Sequence, residues 1–131
     1  MTDQTNLSEV LKALTVSCDD ITYGFVSVEN TQFKFEDGMI GTFQEKEGVT
    51  IVATNEYLAK NGLQPEALFA KLTVEVETSL ATVGLTTVLA TKLAENNISA
   101  NVIAGYFHDY IFVQYDLRQK ALEVLNALKG N

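Results

Sequence analysis

The alternation between Leu72 and Glu77 constrains this chain more than any other stretch. Leu72, Val74 and Val76 alternate with Thr73, Glu75 and Glu77. Successive side chains on a strand point to opposite faces, so the segment predicts a strand with one dry and one wet face. The period then changes. Over Ser79–Asn96, Leu85, Val88, Leu89 and Leu93 fall on one helical stripe, and Asn96–Asn97 ends the run. Ala100–Phe107 and Tyr110–Tyr115 read as two strands around a tight turn at His108–Asp109. Asp116 is the predicted N-cap of a last helix reaching Leu128, with Gln119 at its third position and Leu117, Ala121, Val124, Leu125 and Leu128 facing inward. Strand, helix, strand, strand, helix is most of a βαββαβ unit. The expected class is therefore α+β on the ferredoxin-like plan, an antiparallel sheet with helices on one face.

The first half carries shorter signals. Thr5–Leu14 predicts a helix capped by Asn6, with Glu9 three residues on and Leu7, Val10, Leu11 and Leu14 on one face. Ile21–Val28 and Thr31–Glu36 read as strands, the second with Phe33 and Phe35 on one face before the turn pair Asp37–Gly38. Met39–Glu45 and Val49–Thr54 read as a hairpin around Lys46–Glu47–Gly48. Asn55 is the predicted cap of a short helix, Glu56–Lys60, stopped by Asn61–Gly62. The single proline, Pro65, falls mid-chain, and Leu63–Glu66 reads as the joint between two halves, residues 1–65 and 66–131.

Composition removes many functions. The 131 residues suit one compact unit, and 47% hydrophobic against 20% charged residues is a globular balance. A net charge of −8 argues against nucleic acid and against an anionic membrane, both of which need a basic face. Cys18 stands alone, so no internal disulfide forms, and His108 stands alone, so no site can use two imidazoles. The residues from Met1 to Thr5 lack the basic and apolar regions of a signal peptide, and no apolar run approaches the ~20 residues of a membrane span. With a free thiol, the expectation is a cytoplasmic chain.

Catalytic signatures are thin. Neither a glycine-rich nucleotide loop nor a nucleophile elbow can be read. Cys18 and His108 lack a third orienting residue, and neighbours such as His108 and Asp109 point apart on a strand. Glu75 with Glu77, and Glu45 with Glu47, would share strand faces and could do acid–base work if burial split their pKa values, but a solvated face explains them as well. No calcium-type loop is present, so neither a metal nor a cofactor is expected. The strand Ala100–Phe107 carries no Lys or Arg for RNA stacking, and Thr73–Thr91 has no arginine to hold an acyl phosphate.

From Glu77 to Val113 the sequence resembles the ACT family of small-molecule-binding regulatory domains. The residues that carry this are Gly84–Leu85, the helix end Leu93-Ala94-Glu95-Asn96-Asn97, and Ile98-Ser99-Ala100-Asn101-Val102-Ile103. Longer stretches, Asn101–Val113 above all, with the hairpin Gly41–Val52, are similar to a small bacterial subfamily of stand-alone proteins of about this length. The similarity spans roughly Tyr23–Leu128 and implies a tandem of ACT-like halves. Motifs of the same style occur in aspartokinase regulatory regions and in arginine sensors. The resemblance implies that an amino acid binds at an ACT-like interface, held by the loop after the first strand and by the start of the second. On this chain those positions are Val83, Gly84, Leu85, Asn101 and Val102, with Asp109 at the position of the acid that meets a ligand cation. Val83 stands where the family usually has proline, and Ala81 where it usually has an acid.

A glycine at such a turn lets a ligand approach the backbone, helix-start N–H groups can hold a carboxylate, and an acid can take an amine or guanidinium. The expected function is thus a non-catalytic regulatory module for an amino acid or similar small metabolite, as a monomer or homodimer. The alternative is a structural or protein-interaction module without a ligand.

Overall fold

A computed structural model of the chain describes residues 3–29, 34–76 and 84–130, with side chains from residue 8 to 129. In chain order its elements are α1 (Asp3–Lys12), β1 (Leu14–Cys18), β2 (Tyr23–Val28), β3 (Met39–Gln44), β4 (Val49–Thr54), α2 (Asn55–Lys60), β5 (Phe69–Val76), α3 (Leu85–Glu95), β6 (Asn101–Ala104), β7 (Asp109–Gln114) and α4 (Arg118–Asn126). They form two compact units, Asp20–Ala70 and Met1–Asp19 together with Lys71–Asn131.

The discontinuous unit contains the βαββα series, β5–α3–β6–β7–α4. The strand that completes it is β1, from earlier in the chain. It pairs antiparallel with β5 from Leu14↔Val76 to Cys18↔Leu72. On its other side β5 neighbours β7, which pairs antiparallel with β6 from Asn101↔Phe112 to Ala104↔Asp109. The sequence pattern assigns Leu14 to the first helix, but that helix stops at Lys12 and Leu14 opens β1. Leu14 and Val16 turn inward and Thr15 and Ser17 outward, a period of two that β-branched Thr15 and Val16 favour.

Leu14, Val16, Leu72, Val74, Ile111 and Val113 are all buried and form the dry face. Helix α4 packs against β1, β7 and α3. Leu85, Leu89 and Leu93 of α3 repeat every four residues and are buried, as are Ala121 and Leu125 of α4. Each such leucine stabilises the fold by roughly 1.5–3 kcal/mol relative to exposure. The opposite face carries Thr15, Ser17, Lys71, Thr73 and Glu75, with an ion pair of 3.4 Å between Lys71 and Asp19. Asp116 does not cap α4. It lies in a 3₁₀ turn, Tyr115–Leu117, from which α4 starts, and Arg118 stacks at 3.8 Å on the Tyr115 ring while donating to its carbonyl at 2.7 Å.

In the other unit β4 is the middle of an antiparallel set, with β2 from Tyr23↔Thr54 to Val28↔Val49 and β3 on its other side. Tyr23 also pairs with Phe69, the first residue of β5. The predicted hairpin at 46–48 is present. Met39, Val49, Ile51, Ala53 and Leu58 make the core. The cap of α2 is Thr54 rather than Asn55: its hydroxyl accepts the Tyr57 N–H at 3.1 Å, and Asn55 is already helical. Of the predicted strand 31–36, residues 34–36 are irregular with Phe35 exposed, and the earlier part lies outside the described residues.

Candidate functional site

Gly84 immediately precedes α3 with φ +97° and ψ −7°. Residues with a Cβ pay about 1–2 kcal/mol for the left-handed region, which is why glycine serves here. Its carbonyl accepts the Val88 N–H at 2.9 Å, starting the helical ladder. Among the described residues no side chain caps α3, so none of them competes for its leading N–H groups or the positive end of its dipole. A Cβ built on Gly84 would meet no described atom within 4 Å. The glycine is thus needed for its backbone conformation, and among the described residues nothing fills the space beside it. Leu85, next in line, anchors the helix start in the core. Val83, Ala81 and the predicted first turns of the helix from Ser79 lie outside the described residues.

Asn101 and Val102 are the first two residues of β6. The register assigns them to different faces. Asn101 lies opposite Phe112, and Val102 opposite Ile111. Asp109 lies opposite Ala104 and therefore shares the face of Val102, two ladder positions or about 7 Å away. The structure thus groups Val102 with Asp109 on one face of the hairpin and assigns Asn101 to the other. Asp109 is not in the turn, as the sequence pattern suggests, but is the first residue of β7 and half-buried. The turn lies two residues earlier, at Tyr106–Phe107, closed by the Gly105 N–H donating to the His108 carbonyl at 2.9 Å. A Cβ on Gly105 would come within 2.8 Å of that same oxygen, so only glycine allows the closure.

Sequence reasoning missed two features here. His108 Nε2 is 3.7 Å from a Glu75 carboxylate oxygen, and His108 Nδ1 is buried without a hydrogen-bond partner among the described residues. The wet-face alternation of β5, extended across β7 by the same period, could have indicated this pair. Tyr106 and Phe107 are 95% and 83% exposed, with ring centroids 4.9 Å apart edge-to-face. Only the absence of turn-forming residues at the tip hinted at that.

The catalytic candidates are dispersed. Cys18 follows Leu14 and Val16 on the dry face of β1, whereas His108 meets Glu75 on the wet face. A thiolate–imidazole pair does not form. Glu77 lies outside the described residues. Glu45 and Glu47 are both exposed, and the Glu45 carboxylate accepts from the Thr50 hydroxyl. Among the described residues no group of three or more His, Cys, Asp or Glu could hold a metal ion. No helix of the described residues is long and apolar enough to cross a membrane.

Two ACT-domain family models match the chain, one at residues 3–70 and the other at residues 65–127. The chain belongs to the ACT-domain family, and its α+β architecture is the ferredoxin-like ACT fold in tandem. ACT domains are typically regulatory, ligand-binding modules rather than catalysts. A Vibrio cholerae protein, described as of unknown function and a possible transport protein, is similar in structure with a TM-score of 0.88 and 39% identity, over 98% of this chain and 99% of that one. An Agrobacterium tumefaciens protein shares the fold with a TM-score of 0.66 at 12% identity, over 88% of this chain and 89% of that one. The aspartate kinase of Clostridium acetobutylicum, described as an allosteric enzyme, shares it with a TM-score of 0.60 at 11% identity, over 88% of this chain but 34% of the kinase. No curated protein gives a significant match.

Proposed function

We propose that this chain is a non-catalytic cytoplasmic module that binds an amino acid or a similar small metabolite at an ACT-like site. In sequence the two halves are residues 1–65 and 66–131, with β1 of the first completing the sheet of the second, and the site is built from Val83, Gly84, Leu85, Val102 and Asp109, with Asn101 reaching it from the other face of the hairpin. The observation that carries the reading is the left-handed Gly84 at the start of an eleven-residue helix that no described side chain caps, with no described atom filling the space beside it. The helix-start N–H groups would take the ligand carboxylate. Asp109, sharing a face with Val102, would take a cationic group at the other end of the ligand.

A thermal-shift series over the amino acids at millimolar concentration tests this. A ligand at 100 times its Kd adds about 2.7 kcal/mol, which raises the melting temperature of a chain this size by roughly 10 °C. Asp109→Asn should weaken binding of the cationic amino acids selectively. A melting temperature that no amino acid moves would overturn the proposal.

A further inference from the structure

We infer that, in the Asp20–Ala70 unit, the sheet face turned away from α2 is a docking surface for a basic, apolar segment of another protein. The strand register defines that face. Val49, Ile51 and Ala53 of β4 join Leu58 of α2 in the core, so Thr50, Val52 and Thr54 point the other way. Phe43 lies opposite Thr50, and Phe25 lies opposite Val52. Phe69 joins them, its ring edge-to-face with Phe25 at a centroid distance of 5.2 Å. Three phenylalanines thus share one side of the sheet.

Phe43 is 72% exposed, Phe25 and Phe69 are half-buried, and Val52 is buried. Gly41 shares the face of Phe43 and lies opposite Val52. A Cβ built on Gly41 would meet no described atom within 4 Å. The row from Gly41 through Val52 to Phe25 is therefore a low strip beside the Phe43 ring. The sheet face turned away from the helices in the other unit carries threonine, serine, lysine and glutamate instead. A sheet face that meets water is ordinarily polar, and an exposed aromatic cluster marks a site of interaction.

The charge identifies the occupant. Residues 20–70 hold eight of the seventeen acids but three of the nine basic residues. Acids stand at one end of the aromatic face. The Thr50 hydroxyl donates to the Glu45 carboxylate, which holds that carboxylate on the side of Phe43. Glu47 is exposed in the same turn. Glu29, also exposed, follows Val28, which lies opposite Val49 at the same end. Lys46 is the one base in that turn. A second copy of a chain that carries −8 is repelled there, as are nucleic acid and anionic lipid. A segment bearing lysine or arginine meets opposite charge at the turn, while its apolar side chains cover the phenylalanines.

Fluorescence anisotropy with the full chain tests this. The probe is a labelled eight-residue peptide of alternating leucine and lysine. Two controls of equal length alternate leucine with glutamate and serine with lysine. The leucine–lysine peptide should bind at least about tenfold more tightly than either control. Phe43→Ser, and the double variant Glu45→Gln, Glu47→Gln, should each weaken its binding about tenfold with an unchanged circular dichroism spectrum. Glutamine keeps an oxygen for the Thr50 hydroxyl and removes only the charge. No binding of the leucine–lysine peptide at millimolar protein overturns the inference, as does equal binding of either control or by either variant. A wild-type dimer in light scattering that Phe43→Ser dissociates would assign the face to a second copy and overturn it too. Should a variant fail to fold, hydrogen exchange on the wild-type chain decides. Slowing of amides within residues 41–52 on adding the peptide supports the face, and slowing elsewhere but not there overturns it.

Discussion

Tyr57 donates its phenolic hydrogen to Glu36 at 2.5 Å, tying α2 to the segment before β3. The hydrogen bond to Glu36, then partial loss of water, then the negative charge of the same carboxylate hold the phenol above its ordinary value of 10.0. The folded chain therefore holds this proton more tightly than the unfolded chain. The contribution is complete below about pH 10 and is lost as pH rises through the raised value. The melting temperature of the wild-type chain should fall more steeply above pH 10 than that of Tyr57→Phe, which has no proton to lose. Parallel curves for the two would show that the bond does not count in solution.

Thr54 caps α2 through its hydroxyl. Thr54→Ala should cost about 1 kcal/mol, read as a lower urea midpoint with an unchanged slope. Asn55→Ala, one position inside the helix, should cost less. The reverse order would return the cap to Asn55.

Leu72 and Leu125 are fully buried in the discontinuous unit. Leu72→Ala or Leu125→Ala should destabilise by roughly 2–5 kcal/mol, because the cavity adds to the lost transfer energy. Phe43→Ser, at a side chain 72% exposed, should stay within roughly 0.5 kcal/mol. Urea denaturation of the three variants side by side checks the contrast.

Gly84→Ala must place a Cβ on a residue at φ +97°. The expected cost is about 1–2 kcal/mol of stability, together with loss of any amino-acid response in the thermal-shift series. Asp109→Asn should leave stability within roughly 0.5 kcal/mol and change only ligand preference. Equal loss of binding for every amino acid in Asp109→Asn would assign Asp109 a structural role.

The strands and helices from Leu72 onward were legible because their periods are long and unmixed. Leu72, Val74 and Val76 return to one face every second residue, and Leu85, Leu89 and Leu93 every fourth. The hairpin of β3 and β4 was legible from its turn residues. Leu14 was not, since it satisfies a helical stripe with Leu7, Val10 and Leu11 as well as a strand alternation with Val16, and only its pairing with Val76 decides. Asp109 misled for a related reason. Aspartate favours turns, yet the Gly105–His108 closure moves the turn back and puts Asp109 into the ladder. For the site, the glycine at the start of α3 could be read from the chain. The division of Asn101 and Asp109 between two faces could not, because strand register depends on partners far away in sequence.

The place of β1 has a consequence for the order in which the molecule can assemble during synthesis. β1 pairs with residues 72–76 and packs against α4, which begins at residue 118. The unit Asp20–Ala70 closes on contacts among its own consecutive residues and can form as soon as they leave the ribosome. Residues 14–18 must wait, carrying Leu14 and Val16 unburied, until roughly a hundred more residues have been made. In that interval Leu14 and Val16 lack the partners that bury them, so a nascent chain cut short before α4 would leave on its surface two side chains that the finished fold buries.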